Sequence, residues 1–171
     1  MKTNTEQGST IPRSVRWASI GICAALLAFP ALAEDGFIAD EHGCKVANPS
    51  PKRHETVSWS GKCVEGYADG KGRLQWYVDG VPSTRYEGTL HGGLLSGRGK
   101  LTMPNGGTYE GGWLAGKQDG KGVQAMPDGS RYDGEWKEGQ PNGHGEMRNA
   151  SGETLTGEWK EGAFMGAGEQ K

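Results

Sequence analysis

The stretch "YEGGWLAGKQDGKGVQAMPDGS", residues 109–130, decides the fold of this chain. It is rich in glycine but also carries Tyr, Trp, Val and Met, so it fits a flexible linker, a phosphate-binding loop or a folded repeat. The Tyr-acidic-Gly triplet that opens it at Tyr109 recurs 23 residues away on either side, at Tyr86 and Tyr132. Such a register excludes a linker, and "GKQDGKG" (116–122) lacks the spacing of a phosphate-binding loop. The stretch is therefore one unit of a repeat.

Two weaker copies flank the three clear ones. Leu155-Thr156-Gly157 opens a last copy at the same interval, and Trp59-Ser60-Gly61 opens a first copy that is four residues longer. Glycine recurs at positions 3, 8, 12 and 14 of every copy. The sequence thus predicts five repeats: 59–85, 86–108, 109–131, 132–154 and 155–171.

Each copy predicts a β-hairpin. Apolar and polar residues alternate from Tyr132 to Lys137, which is the strand period. The segment "EGQPNG" (138–143) predicts a turn, and "KGVQAM" (121–126) is typical of a second strand. We expect an all-β chain whose hairpins pair into an elongated, single-layer antiparallel β-meander, with no amphipathic helix after Ala33.

The predicted sheet gathers its aromatic residues on one face. Positions 1 and 5 of the copies supply a row that we take as the candidate interaction face: Tyr86, Tyr109, Trp113, Tyr132, Trp136 and Trp159. We expect glycines at positions 3 and 14 to let these rings lie flat, because a side chain there would collide with a ring. These structural glycines are Gly88, Gly111, Gly134, Gly99, Gly122 and Gly145. Two interpretations stay open: the row is a thin core, or it is partly exposed and receives a ligand or partner.

The N-terminus, residues 1–33, predicts a signal peptide with a short helix. Three cations precede the apolar run "WASIGICAALLAFPALA" (17–33), which ends in Ala31-Leu32-Ala33, a typical cleavage signal. The alternative is an uncleaved anchor. Cleavage near Ala33 would change the net charge from −2 to −4, which argues against affinity for nucleic acid. We expect a periplasmic or secreted protein.

Two cysteines, Cys44 and Cys63, remain after cleavage. In an oxidising compartment an even pair predicts one disulfide. Metal binding with His42 and His54 is the alternative, but no CxxC spacing supports it. The disulfide would fix residues 34–58, which we interpret as a mostly irregular capping segment, onto the first hairpin.

The pattern of residues 109–130 resembles the MORN repeat, whose consensus is close to Tyr-Glu-Gly-x-Trp-x-x-Gly-x-x-x-Gly-x-Gly-x-x-x-x-Pro-Asp-Gly. The resemblance covers about residues 59–171 and weakens at Trp59 and Leu155. It implies an elongated single-layer antiparallel sheet with binding or scaffolding roles: membranes or phosphoinositides in some members, protein partners or self-association in others. It implies no catalytic residues. Because this chain is acidic and lacks a polybasic cluster, phospholipid binding does not follow from the resemblance.

Catalysis has little support in the sequence. The histidines (His42, His54, His91 and His144) are scattered, and no local catalytic signature surrounds them. The carboxylates Glu87, Glu110 and Asp133 recur at position 2, but interspersed Lys and Arg favour a solvated strand face over a cation site. We expect no cofactor, no metal and no enzymatic activity. Three classes remain open: an envelope interaction or scaffold module that binds a partner protein or itself, a glycan- or lipid-binding protein that uses the aromatic face, and an enzyme with an unrecognised site.

Overall fold

A computed structural model describes residues 36–167, so the predicted signal peptide and its cleavage site near Ala33 lie outside the described residues. The described chain is all-β and folds into one open sheet of thirteen strands. The strands are β1 (Phe37–Ala39), β2 (Lys45–Ala47), β3 (Glu55–Trp59), β4 (Lys62–Val64), β5 (Tyr67–Val78), β6 (Val81–His91), β7 (Leu94–Thr102), β8 (Thr108–Leu114), β9 (Lys117–Ala125), β10 (Arg131–Lys137), β11 (Gln140–Arg148), β12 (Thr154–Lys160) and β13 (Ala163–Gly166). No helix in this part of the chain is long and apolar enough to cross a membrane.

From β5 to β13 the sheet is an antiparallel meander in which each strand pairs with the next one in sequence. One copy of the repeat supplies one hairpin, such as β8 with β9 or β10 with β11. The alternation predicted from the sequence is present, since Tyr132 and Trp136 are buried while Asp133 and Lys137 are exposed. The predicted antiparallel meander of repeated hairpins is confirmed.

The turn within each hairpin is shorter than the turn predicted from the sequence. In the fourth copy only Glu138 and Gly139 form the turn, and Gln140 already belongs to β11. Both turn residues have positive φ, 50° and 88°, as in a type I′ turn, whose twist matches that of the flanking strands. The strand β11 has more residues than β10 over this stretch, and a bulge beside Gly143, where φ is +102°, accommodates the difference. The segment 138–143 is therefore mostly strand.

The segment predicted as mostly irregular, residues 34–58, contains three short strands in its described part, β1 to β3. The hairpin of β1 and β2 joins the sheet through one parallel bridge, Lys45 to Tyr67, and through the amide of Ala47, which donates to the carbonyl of Gly93. Strands of three to five residues show little alternation, and the segment joins the sheet through residues far away in the sequence, such as Tyr67. The pattern of the segment therefore could not reveal them.

The disulfide between Cys44 and Cys63 is formed, with the two Cα atoms 5.6 Å apart. Cys44 is buried beside the core, whereas Cys63 is exposed on β4. A bond that spans 19 residues contributes about 3 kcal/mol in the chain-entropy account. It holds the N-terminal hairpin, which carries Val46, against the core that contains Ala68 and Leu90, and all three side chains are almost fully buried. This segment thereby closes the first end of the core.

Candidate interaction surface

The apolar face of the sheet is a continuous ladder of aromatic rings. Neighbouring Tyr and Trp rings have centroids 5.1–5.6 Å apart and planes at 79–87°, an edge-to-face arrangement. In spatial order the rungs are Tyr86, Trp113, Tyr109, Trp136, Tyr132, Trp159 and Phe164. Each inner Trp packs between the Tyr of its own copy and the Tyr of the copy before. The ladder therefore couples the four successive repeats that begin at Tyr86.

Hydrogen bonds fix the orientation of each ring. The indole N–H of Trp136 donates to the carbonyl of Gly122 at 3.0 Å. Trp113 and Trp159 each make the same bond to the glycine that lies 14 residues earlier in the chain. The hydroxyl of Tyr109 donates to the carbonyl three residues later, Gly112, at 3.0 Å, as do the hydroxyls of Tyr86 and Tyr132 to theirs. The polar atoms of these rings are thus satisfied inside the core.

A row of glycines crosses the sheet beneath the tyrosine rings. Gly111 pairs with Gly99 on one side and with Gly122 on the other, and the same pairing continues from β5 to β12. A Cβ built at Gly111 would lie 2.6 Å from the Tyr109 hydroxyl and 2.5 Å from the Cα of Gly122. The six structural glycines named from the sequence all lie in this row: Gly88, Gly99, Gly111, Gly122, Gly134 and Gly145.

The first copy reproduces this geometry with a different aromatic residue. Trp59 lies over Gly61 and Gly72, where a Cβ at either glycine would collide with the indole ring. Its N–H donates to the carbonyl of Lys62, three residues later, at 2.8 Å. This is the bond that a tyrosine hydroxyl makes in the later copies, so Trp59 replaces Tyr in geometry as well as in sequence position.

The six residues taken as the candidate interaction face lie in the core. None of them is more than 7% exposed, and the three tyrosines are at most 1% exposed. A partner cannot contact them while the sheet is folded, so of the two interpretations left open by the sequence, their burial supports the thin core. The rings cover one another because their edge-to-face packing closes the gaps that a single layer would otherwise leave open. The accessible surface for a partner lies elsewhere.

The opposite face of the sheet is polar and accessible. In its first half, cations and carboxylates alternate across neighbouring strands: Arg73 lies 3.1 Å from Glu87, and Lys100 lies 3.6 Å from Glu110. These pairs are solvent-exposed, so each contributes little to stability. Their regular register nevertheless gives the face a defined charge pattern.

The alternation breaks in the third copy. Val123 is the registered partner of both Glu110 and Asp133, and it occupies the position that Lys100 and Glu146 hold in the neighbouring copies. It separates the carboxylates of Glu110 and Asp133, which were considered as a cation row. No group of three or more metal-ligating side chains occurs among residues 36–167.

A groove of about 680 Å³ lies on this polar face. Small side chains, Val123, Ala125 and Thr108, form its floor, where the adjacent copies carry larger or charged residues. Its walls are charged: Glu87, Arg98, Lys100, Glu110 and Arg131. This site was not predicted from the sequence. The available signal was the pair Val123 and Ala125 at polar-face positions of one copy only.

The histidines do not assemble into a catalytic centre in the described structure. Each is exposed and lies beside its own carboxylate: His42 near Glu41 (3.6 Å), His54 near Asp79 (2.8 Å), His91 near Asp69 (3.0 Å) and His144 near Glu158 (3.5 Å). These are ordinary surface pairs.

Comparison with known families agrees with this geometry. The family model of the MORN repeat matches four consecutive segments, residues 86–108, 109–131, 132–154 and 156–171. The chain belongs to the MORN-repeat family. The family model does not match the copy that begins at Trp59, although that copy stacks its ring on two glycines as the matched ones do. No curated protein matches the chain. MORN repeats are non-enzymatic modules that generally bind proteins or membranes.

Burial perturbs the tyrosines of the MORN ladder. Loss of solvation raises the pKa of Tyr86, Tyr109 and Tyr132 to about 12, and nearby carboxylates, such as Asp119 beside Tyr109, add to the shift of the last two. The folded ladder therefore holds its phenols neutral above pH 10, where the unfolded chain begins to ionise.

This shift predicts alkaline unfolding. Because the folded pKa exceeds the unfolded value, the stabilisation is complete below about pH 10 and is lost as the pH rises from about 10 through about 12. Urea unfolding at about pH 8 and about pH 11 should show a lower midpoint at the higher pH. Tyr132→Phe removes one ionising ring, so its midpoint should fall less over this range than that of the wild type. An equal fall in both proteins would contradict the assignment.

Proposed function

We propose that the chain is an exported, non-enzymatic MORN module that binds a partner protein through the polar face of its sheet. The observation that carries the proposal is the groove on that face, where Val123 stands at a position that is charged in both neighbouring copies and the small Ala125 lies beside it. A sheet face that serves only solubility does not need a small apolar floor between charged walls. Concave sites with an apolar floor and a few charged groups are typical of binding sites.

The burial of the aromatic ladder weakens the alternative of glycan or lipid binding by flat rings. Such binding requires accessible ring faces, but Trp113, Trp136 and Trp159 are at most 7% exposed. Their indole N–H groups are also engaged by backbone carbonyls. The polar face is left as the surface on which a partner is recognised.

An envelope location agrees with two features. The segment 1–33 has the composition of a secretory signal, and the Cys44–Cys63 disulfide suits an oxidising compartment. Intact-mass analysis of the exported protein should give the mass of a chain that begins after Ala33 with two oxidised cysteines. Full-length mass in the cytoplasmic fraction would contradict export.

Site-specific photocrosslinking in intact cells tests the binding surface. A photoreactive residue placed at Val123 should give one discrete protein adduct, because this position lies on the groove floor. The matched control places the same residue at Lys160, which is exposed on β12 and does not line the groove. Equal adducts at both positions, or none at Val123 in cells that export the protein, would overturn the proposed binding face.

A further inference from the structure

The groove has an apolar centre of limited size. Val123 and Ala125 are half-buried, and they follow each other along one side of β9. Thr108 is the registered partner of Ala125 and continues the same low surface onto β8. Two or three small side chains give room for one apolar side chain of a ligand and for little more. The floor therefore fits one apolar side chain of a ligand, and the remaining contacts of the ligand must come from the charged walls.

The walls of the groove carry a net positive charge. Three cations and two carboxylates line it, and the carboxylate of Glu87 is already compensated by Arg73 at 3.1 Å and Arg85 at 3.7 Å. Arg98 forms no ion pair with any described residue. Arg131 is paired with Asp133 at 2.6 Å, but its guanidinium can bind a second carboxylate.

This charge contrasts with the rest of the molecule, because the whole chain has a net charge of −2. An acidic ligand is therefore attracted to the groove more than to the surface as a whole. Complementarity of this kind gives specificity and directs the encounter.

The dimensions suit an extended polypeptide. The lining residues extend from Glu87 on β6 to Arg131 on β10, which is four strand spacings. At ~4.8 Å per spacing this is roughly 19 Å, the length of about six residues of extended chain. A ligand that crosses the strands could place one side chain on Val123 and acidic groups at Arg98 and Arg131.

We infer that the groove binds an extended acidic segment of a partner protein, with an apolar side chain on Val123 and carboxylates at Arg98 and Arg131. The inference rests on the proposed function, since it names the chemistry of the segment that the polar face recognises.

Selection from a displayed library of random peptides tests the inference. The full exported chain, immobilised by a C-terminal tag, should enrich peptides with net negative charge and one apolar residue. Val123→Glu should abolish that enrichment and weaken binding of an enriched peptide by about tenfold. Arg98→Glu combined with Arg131→Glu should shift the enrichment to basic peptides. Circular dichroism and the unfolding midpoint establish that each variant folds.

The matched control is Lys160→Glu, which changes the charge by the same amount per site but lies outside the groove. It should select the same peptides as the wild type. Selection without charge bias, or the same loss with Lys160→Glu, would overturn the inference. Sedimentation with phosphatidylglycerol vesicles that depends on Arg98 and Arg131, without acidic peptides being selected, would also overturn it and assign the groove to a lipid headgroup.

The two proposals can fail separately. If photocrosslinking at Val123 gives an adduct but acidic peptides do not compete for it, the binding face is correct and the acidic segment is wrong. If acidic peptides are selected in vitro but Val123 gives no adduct in cells, the chemistry of the groove is correct and the proposed role in the envelope is wrong.

Discussion

Replacing Trp136 with alanine should lower the free energy of unfolding by about 4 kcal/mol, because it removes a large buried side chain from the middle of the ladder. Trp136 is 5% exposed and packs edge-to-face with Tyr109 at 5.1 Å and with Tyr132 at 5.2 Å. Its N–H also satisfies the carbonyl of Gly122. The alanine variant would leave that carbonyl without its donor and two tyrosine rings without their shared neighbour.

The variant should also change how the protein unfolds. In a repeat protein, stability is approximately the sum of each unit and its contacts with the next. Trp136 supplies the ring contact between the copies 109–131 and 132–154, so its loss should uncouple the two halves of the sheet. We expect urea transitions followed by circular dichroism and by tryptophan fluorescence to coincide in the wild type and to separate in the variant.

Leu114→Ala is the matched control for this experiment. Leu114 follows Trp113 on β8 but is 61% exposed, so its truncation should change stability by less than about 0.5 kcal/mol. A similar loss in both variants, or a loss below about 1 kcal/mol for Trp136→Ala, would show that the ladder does not hold the copies together.

The repeat geometry is the part of the structure that the sequence predicts best. A period of 23 residues and the two-residue strand period place Tyr109, Trp113 and Gly111 on one face, and the next copy must repeat this arrangement. The pairing of glycine with glycine across neighbouring strands follows from the same register. Local pattern and neighbour pairing are sufficient here because nearly all contacts of the sheet join adjacent strands.

The accessible surface could not be predicted in the same way. Whether Tyr109 and Trp136 are exposed depends on how their rings interlock between copies, and sequence position alone does not encode ring orientation. The N-terminal strands are not evident in the sequence because they are only three to five residues long, and Lys45 pairs with Tyr67 in a different part of the chain. The groove is not evident in the sequence because Val123 is unusual only by comparison with the same polar-face position of the other copies.

Gly111→Ala should lower the free energy of unfolding by about 3 kcal/mol, although it adds only one methyl group. The new Cβ would lie 2.5 Å from the Cα of Gly122 and 2.7 Å from the carbonyl oxygen of Lys121, both of which are backbone atoms of the adjacent strand. It would also lie 2.6 Å from the hydroxyl of Tyr109, which is held by its bond to Gly112. Neither the strand nor the ring can move away without breaking ladder contacts.

Gly120→Ala separates this collision from the ordinary cost of replacing a glycine. Gly120 lies in the same copy, with φ +83° and open space where the Cβ would be, so its substitution costs only backbone strain of about 1 kcal/mol. Chemical unfolding of the two variants should therefore differ by about 2 kcal/mol, with Gly111→Ala the less stable. Equal stability would mean that the tyrosine rings do not require the glycine row. A larger loss at Gly120 would mean that the recurring glycines serve turns and bulges above all, because backbone conformation would then outweigh the close approach of ring and strand.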